Sequence, residues 1–326
     1  PVAIEMVSDY DVLGRLNKIT ETSGSVVHVT TYEYDDKCNL RFVREPLGRT
    51  TEYRYNAQGQ RSEMVDPVGS RWVWAYDNNG FLQSLTDPFN KATQFTFSES
   101  GELLSRIDRN NRRIDFEYDA AHRPAKEKWN TIPQRVTTYS YNAVGQLTSA
   151  VDPDSALAIS YFNTGLVQSV DNANTPGAPR VLVNYSYDGN GNVTRVQDSL
   201  GGSTDYSYDG LDRLSRITQS GTGVNEKRVD MVYDNASFLR ELRRFSNLAG
   251  TQGVANTLFD YDCGGCTERV TSIHHRKASN NAVIHDMDFT RDSLGNIVTA
   301  TDAEGMHAYT YDALRRLKTA THSQTA

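Results

Sequence analysis

The chain has 326 residues, of which 37% are hydrophobic, 23% charged and 10% aromatic, with a mean hydropathy of -0.60; no stretch approaches the roughly 20 apolar residues of a membrane-spanning helix. Its 34 Lys and Arg against 41 Asp and Glu give a net charge of -7, which argues against nucleic acid as a partner, because phosphate binding needs clustered positive charge. Disorder is excluded by the 18 Tyr, 11 Phe and 3 Trp, and a disulfide scaffold by a total of three cysteines. The start at Pro1-Val2-Ala3, with no initiator Met and no basic-then-apolar leader, reads either as a processed piece or as a piece cut from something larger.

An aromatic-x-aromatic-Asp unit recurs along the whole chain. With the second aromatic as marker, the units fall at Tyr10, Tyr34, Tyr55, Tyr76, Phe97, Tyr118, Tyr141, Tyr161, Tyr187, Tyr208, Tyr233, Tyr261, Arg291 and Tyr311, so one array spans residues 1–326. From Tyr34 to Tyr118 the spacing is a strict 21 residues, and later spacings stretch as loop insertions would. All 18 tyrosines occupy one of the two aromatic positions. The residue after the marker is Asp ten times and Asn twice, Gly stands four after it in nine units, and Leu, Val or Ile six after it in eleven.

In Val73-Trp74-Ala75-Tyr76 the two aromatics lie on one face of an extended strand. Asp77-Asn78-Asn79-Gly80 then reads as a turn, with Asp77 accepting local backbone bonds and Gly80 supplying a positive φ. A second strand begins at Leu82, and Asp87-Pro88-Phe89-Asn90 leads into the next unit. Tyr208 and Asp209 anchor the same arrangement later on. Turn signals every ten residues or so leave no window for an amphipathic helix; Glu241 to Phe245 is the best short helical candidate. The fold expected is therefore all-β, about 14 tandem hairpins in one long curved or spiralling ribbon.

The run Tyr206-Ser207-Tyr208-Asp209-Gly210-Leu211-Asp212-Arg213-Leu214 resembles the YD-repeat signature of Rhs proteins, as does Glu45-Pro46-Leu47-Gly48-Arg49 continuing to Asn56. Similar repeats occur in the shells of Tc toxins and in teneurins. The resemblance covers Asp9 to Thr321 and implies a segment of a hollow shell. Its implied partners are the remainder of the shell chain and an enclosed C-terminal toxin segment, and it implies export by a secretion system. In teneurins such shells serve cell-surface recognition. At ~4.8 Å per strand, 28 strands extend roughly 130 Å, enough for one open ring about 40 Å across and not for a sealed container.

Catalytic candidates are weak beside that reading. The aspartates recur before glycines, which points to turns rather than to an acid-base dyad. The autoproteolytic motif that the resemblance implies is missing. Asp66-Pro67-Val68-Gly69 is not followed by a double glycine, and Gly201-Gly202 has no preceding proline in register. Cys263-Gly264-Gly265-Cys266 with His274 and His275 offers zinc-type ligands, yet the spacing fits no zinc finger and the cysteines occupy an ordinary repeat turn. A tight turn is the plainer reading, and a small-ring disulfide is the other. No cofactor is implied. The remaining histidines, His28, His122, His285, His307 and His322, have no nucleophile or paired carboxylate at a recognisable spacing and read as surface residues.

Two other functions fit the repeat: a carbohydrate- or cell-surface-binding module, in which tyrosines stack on glycans, and a β-propeller interaction domain, in which hairpins pair into four-stranded blades.

Overall fold

A computed structural model describes the chain except residues 1–3, 24–25, 263–268, 293, 313–314 and 325–326. The described residues are nearly all-β: 28 strands, and a single 3-10 turn at Pro46–Gly48. The segment expected as a short helix is instead part of the strand Leu239–Phe245. Its Leu-x-x-Leu spacing imitates a helical period, but pairing on both sides, Glu241 with Val232 and with Leu258, holds it extended.

The chain forms two compact units. The first holds residues 1–113, 261–272 and 287–326, the second 114–260 and 273–286. Within the first, the ten strands from Ile4–Tyr10 to Leu103–Ile107 each pair antiparallel with the next in sequence. Strands from Arg113–Tyr118 to Gly253–Tyr261 do the same in the second. A propeller would break this pairing after every four strands, so the blade alternative is corrected: within each unit the hairpins form a ladder that runs on well past four strands.

The ladder has two unlike faces, as the two-residue side-chain period of a strand dictates. One carries the aromatics and their cross-strand partners, such as Trp74 opposite Leu85, Tyr53 opposite Met64, and Tyr206 opposite Ile217. The other carries hydroxyl and ion pairs. Ser160 bonds Ser169 at 2.7 Å, Ser105 bonds Thr96 at 3.1 Å, and Glu63 holds both Arg54 and Arg71 at 3.1 and 2.6 Å. Fully buried hydrophobic side chains are few among the described residues: Ile114, Ala156 and Ala300. The hydrophobic layer is thus one side chain thick, and most of its members are half-buried.

Candidate functional site: the seam between hairpins

Among the described residues, hairpins close through a turn that starts at the residue after the marker. The Asp77 carbonyl accepts from Gly80 N–H at 3.0 Å, and the Asp77 N–H donates to the Phe81 carbonyl at 2.9 Å. Asp77 Oδ1 takes the N–H groups of Asn79 and Phe81, both at 2.9 Å. One carboxylate oxygen thereby satisfies two amides that the reversal would strand. Gly80 sits at φ +87°, where L-residues are strained. Asp209 builds the same turn, with Asp212 in the fourth position at φ +57°. Asp66-Pro67-Val68-Gly69, which links one hairpin to the next, repeats the device with the opposite job.

Between hairpins the backbone ladder is short. Strand Arg61–Val65 pairs with Arg71–Tyr76 only from Glu63 opposite Val73 to Val65 opposite Arg71. Beyond Val73 the strands have no further paired residues, and the Tyr76 hydroxyl donates to the Arg61 carbonyl at 2.9 Å. A side chain thus supplies the donor that the missing ladder rungs would have supplied. The same bond, always to the carbonyl six residues after the preceding marker, runs from Tyr34 to Leu16, Tyr55 to Leu40, Tyr141 to Pro124 and Tyr161 to Leu147. It recurs from Tyr187 to Val167, Tyr208 to Val193, Tyr233 to Leu214 and Tyr311 to Ile297, all at 2.8–2.9 Å. At the one marker that is neither Tyr nor Phe, Arg291 Nη2 donates to the Val270 carbonyl at 3.0 Å and takes the hydroxyl's place. Burial pushes the Tyr55 and Tyr208 phenols above the ordinary tyrosine value, so the hydroxyls remain donors.

The residue five after the marker completes the seam. In Asp units it is often Arg: Arg15, Arg123 and Arg213 bond Oδ2 of Asp11, Asp119 and Asp209 at 2.7, 2.8 and 2.7 Å. The same guanidinium groups lie over the next marker ring, Arg15 over Tyr34, Arg123 over Tyr141 and Arg213 over Tyr233, at 4.4, 4.5 and 4.6 Å. In both Asn units it is Gln. Asn56 and Asn142 donate to Gln60 and Gln146 at 2.9 and 2.8 Å, and those glutamines donate onward to Gly80 and Gly165 carbonyls of the following turns. Phe81 stacks on the next marker, Phe97, at 5.2 Å. Where the next marker is Tyr, as at Tyr34, Tyr141 and Tyr233, the seam combines the turn, the fifth residue, the marker ring and the hydroxyl bond back to the preceding strand.

The zinc candidates are not all in view. Cys263 and Cys266 lie outside the described residues. His274 and His275 are neighbours on the strand Val270–Lys277 and point to opposite faces. His274 Nδ1 stands 3.2 Å from Asp286 and Nε2 3.4 Å from Asp260. His275 Nδ1 is 2.8 Å from the Thr257 hydroxyl, and burial, then the nearby Arg244 charge, push its pKa down. Among the described residues no group of three or more His, Cys, Asp or Glu is placed to hold a metal ion.

The surface reading of the other histidines needs correction for three of them. His28, His285 and His307 are half-buried, because even spacing from their markers places them on the aromatic face. His285 stacks on His275 at 6.3 Å and His307 on His322 at 4.4 Å.

The geometry defines a class: a β-hairpin array in which an aromatic-Asp repeat ties each hairpin to the one before it. The Teneurin YD-shell family matches residues 3–135, and the RHS Repeat family matches residues 187–224 and 291–326. The chain belongs to the YD-repeat, or Rhs-repeat, family. No curated protein matches the full sequence significantly. Solved structures share the fold. A chain in the crystal structure of TcdB2-TccC3-Cdc42 is similar with a TM-score of 0.76 at 16% identity, covering 98% of this chain and 19% of that one. The Photorhabdus luminescens Tc holotoxin pore gives 0.73 at 16% identity, with 98% and 19% coverage. The TcdB2-TccC3 structure gives 0.73 at 17% identity, with 98% and 20% coverage. This chain therefore spans about a fifth of the length of those chains. Among the described residues no helix is long and apolar enough to cross a membrane.

Proposed function

We propose that this chain is a wall segment of an Rhs-type polymorphic toxin, whose shell encloses a C-terminal toxic effector until a secretion system delivers it. Its partners in this reading are the rest of the shell chain and the enclosed toxin, and its part is structural rather than catalytic. The observation that carries it is the seam. Among the described residues nine markers are fixed to the preceding hairpin by a tyrosine hydroxyl and a tenth by Arg291, so the array grows by repetition without closing around a core. Similarity to chains of the TcdB2-TccC3 and Tc holotoxin structures supports the toxin context.

Glycan binding finds less support. Arg61 lies over both Tyr53 and Trp74, at 5.0 and 5.5 Å, and so covers rings on which a sugar would stack.

Limited proteolysis of a longer gene product that carries this array and its downstream segment tests the proposal. The downstream segment should survive a protease dose that removes an exposed tag, and should be cut once the seams are broken. Cleavage at the tag's rate in the folded protein would overturn it.

A further inference from the structure

The polar face of the first unit carries a groove of about 500 Å³, laid across the strands Leu82–Thr86, Ala92–Phe97 and Leu103–Ile107. Ser84 is opposite Gln94, Gln94 is opposite Ile107, and Thr96 is opposite Ser105. Residues opposite one another in a ladder share a face, and residues two apart on a strand do too, so these five point to one side of the sheet. Phe95, between Gln94 and Thr96, points to the other side. The ladder between the first two strands ends at Ser84 and Gln94, and Gln83 joins the wall where they part.

Side-chain size shapes this groove, and its polar groups have bonds to spare. Ser84, Thr96 and Ser105 are short, whereas Gln83, Gln94 and Arg113 are long enough to stand around them. Ser105 is 5% exposed, and its hydroxyl donates to Thr96 at 3.1 Å, which leaves the Thr96 proton for a ligand. Gln83, Ser84 and Gln94 make no side-chain hydrogen bond among the described residues. Two carboxamides and two hydroxyls thus line one concavity with hydrogen bonds still to make. Arg113 is the one charged side chain in the wall, and it is already engaged within the protein. Ile107 is the one apolar side chain that the register sends into the groove.

We propose that this groove binds a neutral saccharide, with adjacent sugar hydroxyls on the carboxamides of Gln83 and Gln94 and further hydroxyls on Ser84 and Thr96. A carboxamide presents a donor and an acceptor side by side, and two neighbouring sugar hydroxyls present the matching pair. No carboxylate lines the wall and Arg113 is engaged, so a charged ligand gains nothing over a neutral one. A single apolar side chain gives the side chains of a peptide little to bury against. The mode differs from stacking on tyrosines, because it uses the opposite face, away from the rings that Arg61 covers. The site is independent of the shell reading, and either can fail alone.

Titration of the whole chain with maltose, lactose and N,N′-diacetylchitobiose in turn, followed by ligand-observed NMR, tests this. Saturable binding of at least one of them, with a Kd below about 10 mM, is expected. Gln83→Leu and Gln94→Leu should each weaken it about tenfold and leave the urea midpoint in place, because both side chains are exposed. Glucuronate should bind no more tightly than glucose. Absence of saturable binding of all three sugars below about 10 mM, undiminished binding to either variant, or glucuronate binding about tenfold more tightly than glucose would each overturn the proposal. Acetyl-triserine amide binding as tightly as the best of the sugars would overturn it too, by assigning the groove to a peptide.

Discussion

If the tyrosine hydroxyl, and not the ring alone, joins hairpins, then removing one oxygen atom should loosen one seam. Tyr208→Phe deletes the 2.9 Å bond to the Val193 carbonyl and leaves the ring in place. A net hydrogen bond contributes about 0.5–1.5 kcal/mol, and a stranded carbonyl costs about 1–3 kcal/mol where water cannot replace the donor. The seam is half-buried, so partial rehydration puts the expected loss at about 1 kcal/mol. Truncation to Ala removes the ring packing as well and should cost about 3 kcal/mol or more. Tyr206 provides the internal control. It lies on the same strand and face, and its hydroxyl makes no hydrogen bond among the described residues. Tyr206→Phe should therefore change stability by less than about 0.5 kcal/mol. Urea denaturation, with amide exchange followed at Arg195 and Asp205 next to the seam, reads both changes. Equal effects of Tyr206→Phe and Tyr208→Phe, or a neutral Tyr208→Phe, would refute the hydroxyl's role and leave only aromatic packing.

The turn pairs should be exchangeable as pairs. Asp209→Asn or Arg213→Gln alone should destabilise, whereas the two together recreate the Asn56 and Gln60 arrangement and should recover most of the loss in a double-mutant cycle read by urea melts. The acid response follows from the same carboxylates. The side-chain bond from the arginine five after the marker holds Asp11, Asp119 and Asp209 below the usual carboxylate range, with backbone amides adding to it. A pKa lowered in the folded state contributes stability above the unfolded value near 4 that is lost as pH falls through the folded value. Melting temperature should thus drop below about pH 4, and less steeply in the Asn-Gln double variant. In the fourth turn position Cys38 and His122 adopt φ +67° and +61°, and their replacement by Gly should raise stability by about 0.5–1 kcal/mol, measured by thermal melts. Arg291→Leu should cost about 1 kcal/mol by loss of the Val270 bond, and Arg291→Tyr should retain it, as judged by amide exchange in that hairpin.

Much of this construction is visible in the residues themselves. Strand positions follow from aromatic-x-aromatic and from Asp and Gly three apart, because a period of two and a reversal every ten residues leave few other folds. The hydroxyl bond is less visible, though its trace is the choice of Tyr over Phe at twelve of the fourteen markers. Packing alone would accept either ring. The pairing of position one with position five was equally legible: both Asn units have Gln, and Phe162 has Leu166. The different partners of Arg243 and Arg244, Glu241 for one and the Thr257 hydroxyl for the other, were not legible, because the two look alike until the pleat sends them to opposite faces. Nor does the sequence show that Leu47 and Arg49 line one groove with Leu294, Tyr309 and Arg315, some 250 residues later; a local repeat carries no information on which distant repeats adjoin.

A thin sheet of this kind meets a difficulty that thick domains avoid. With one layer of half-buried side chains, burial alone offers each hairpin little, and several of the ladders between hairpins end after three rungs. Stability must then come from bonds that need no deep core. Turn carboxylates satisfying two amides, hydroxyls satisfying splayed carbonyls, and arginines lying flat on rings meet that requirement in a half-wet seam. Each is short-range and repeats with the hairpin, so lengthening the array adds strength in proportion to its length. The low aliphatic content and the abundance of tyrosine are two sides of one solution, in which the ring supplies the thin apolar layer and its oxygen closes the gap that a thin layer leaves in the backbone.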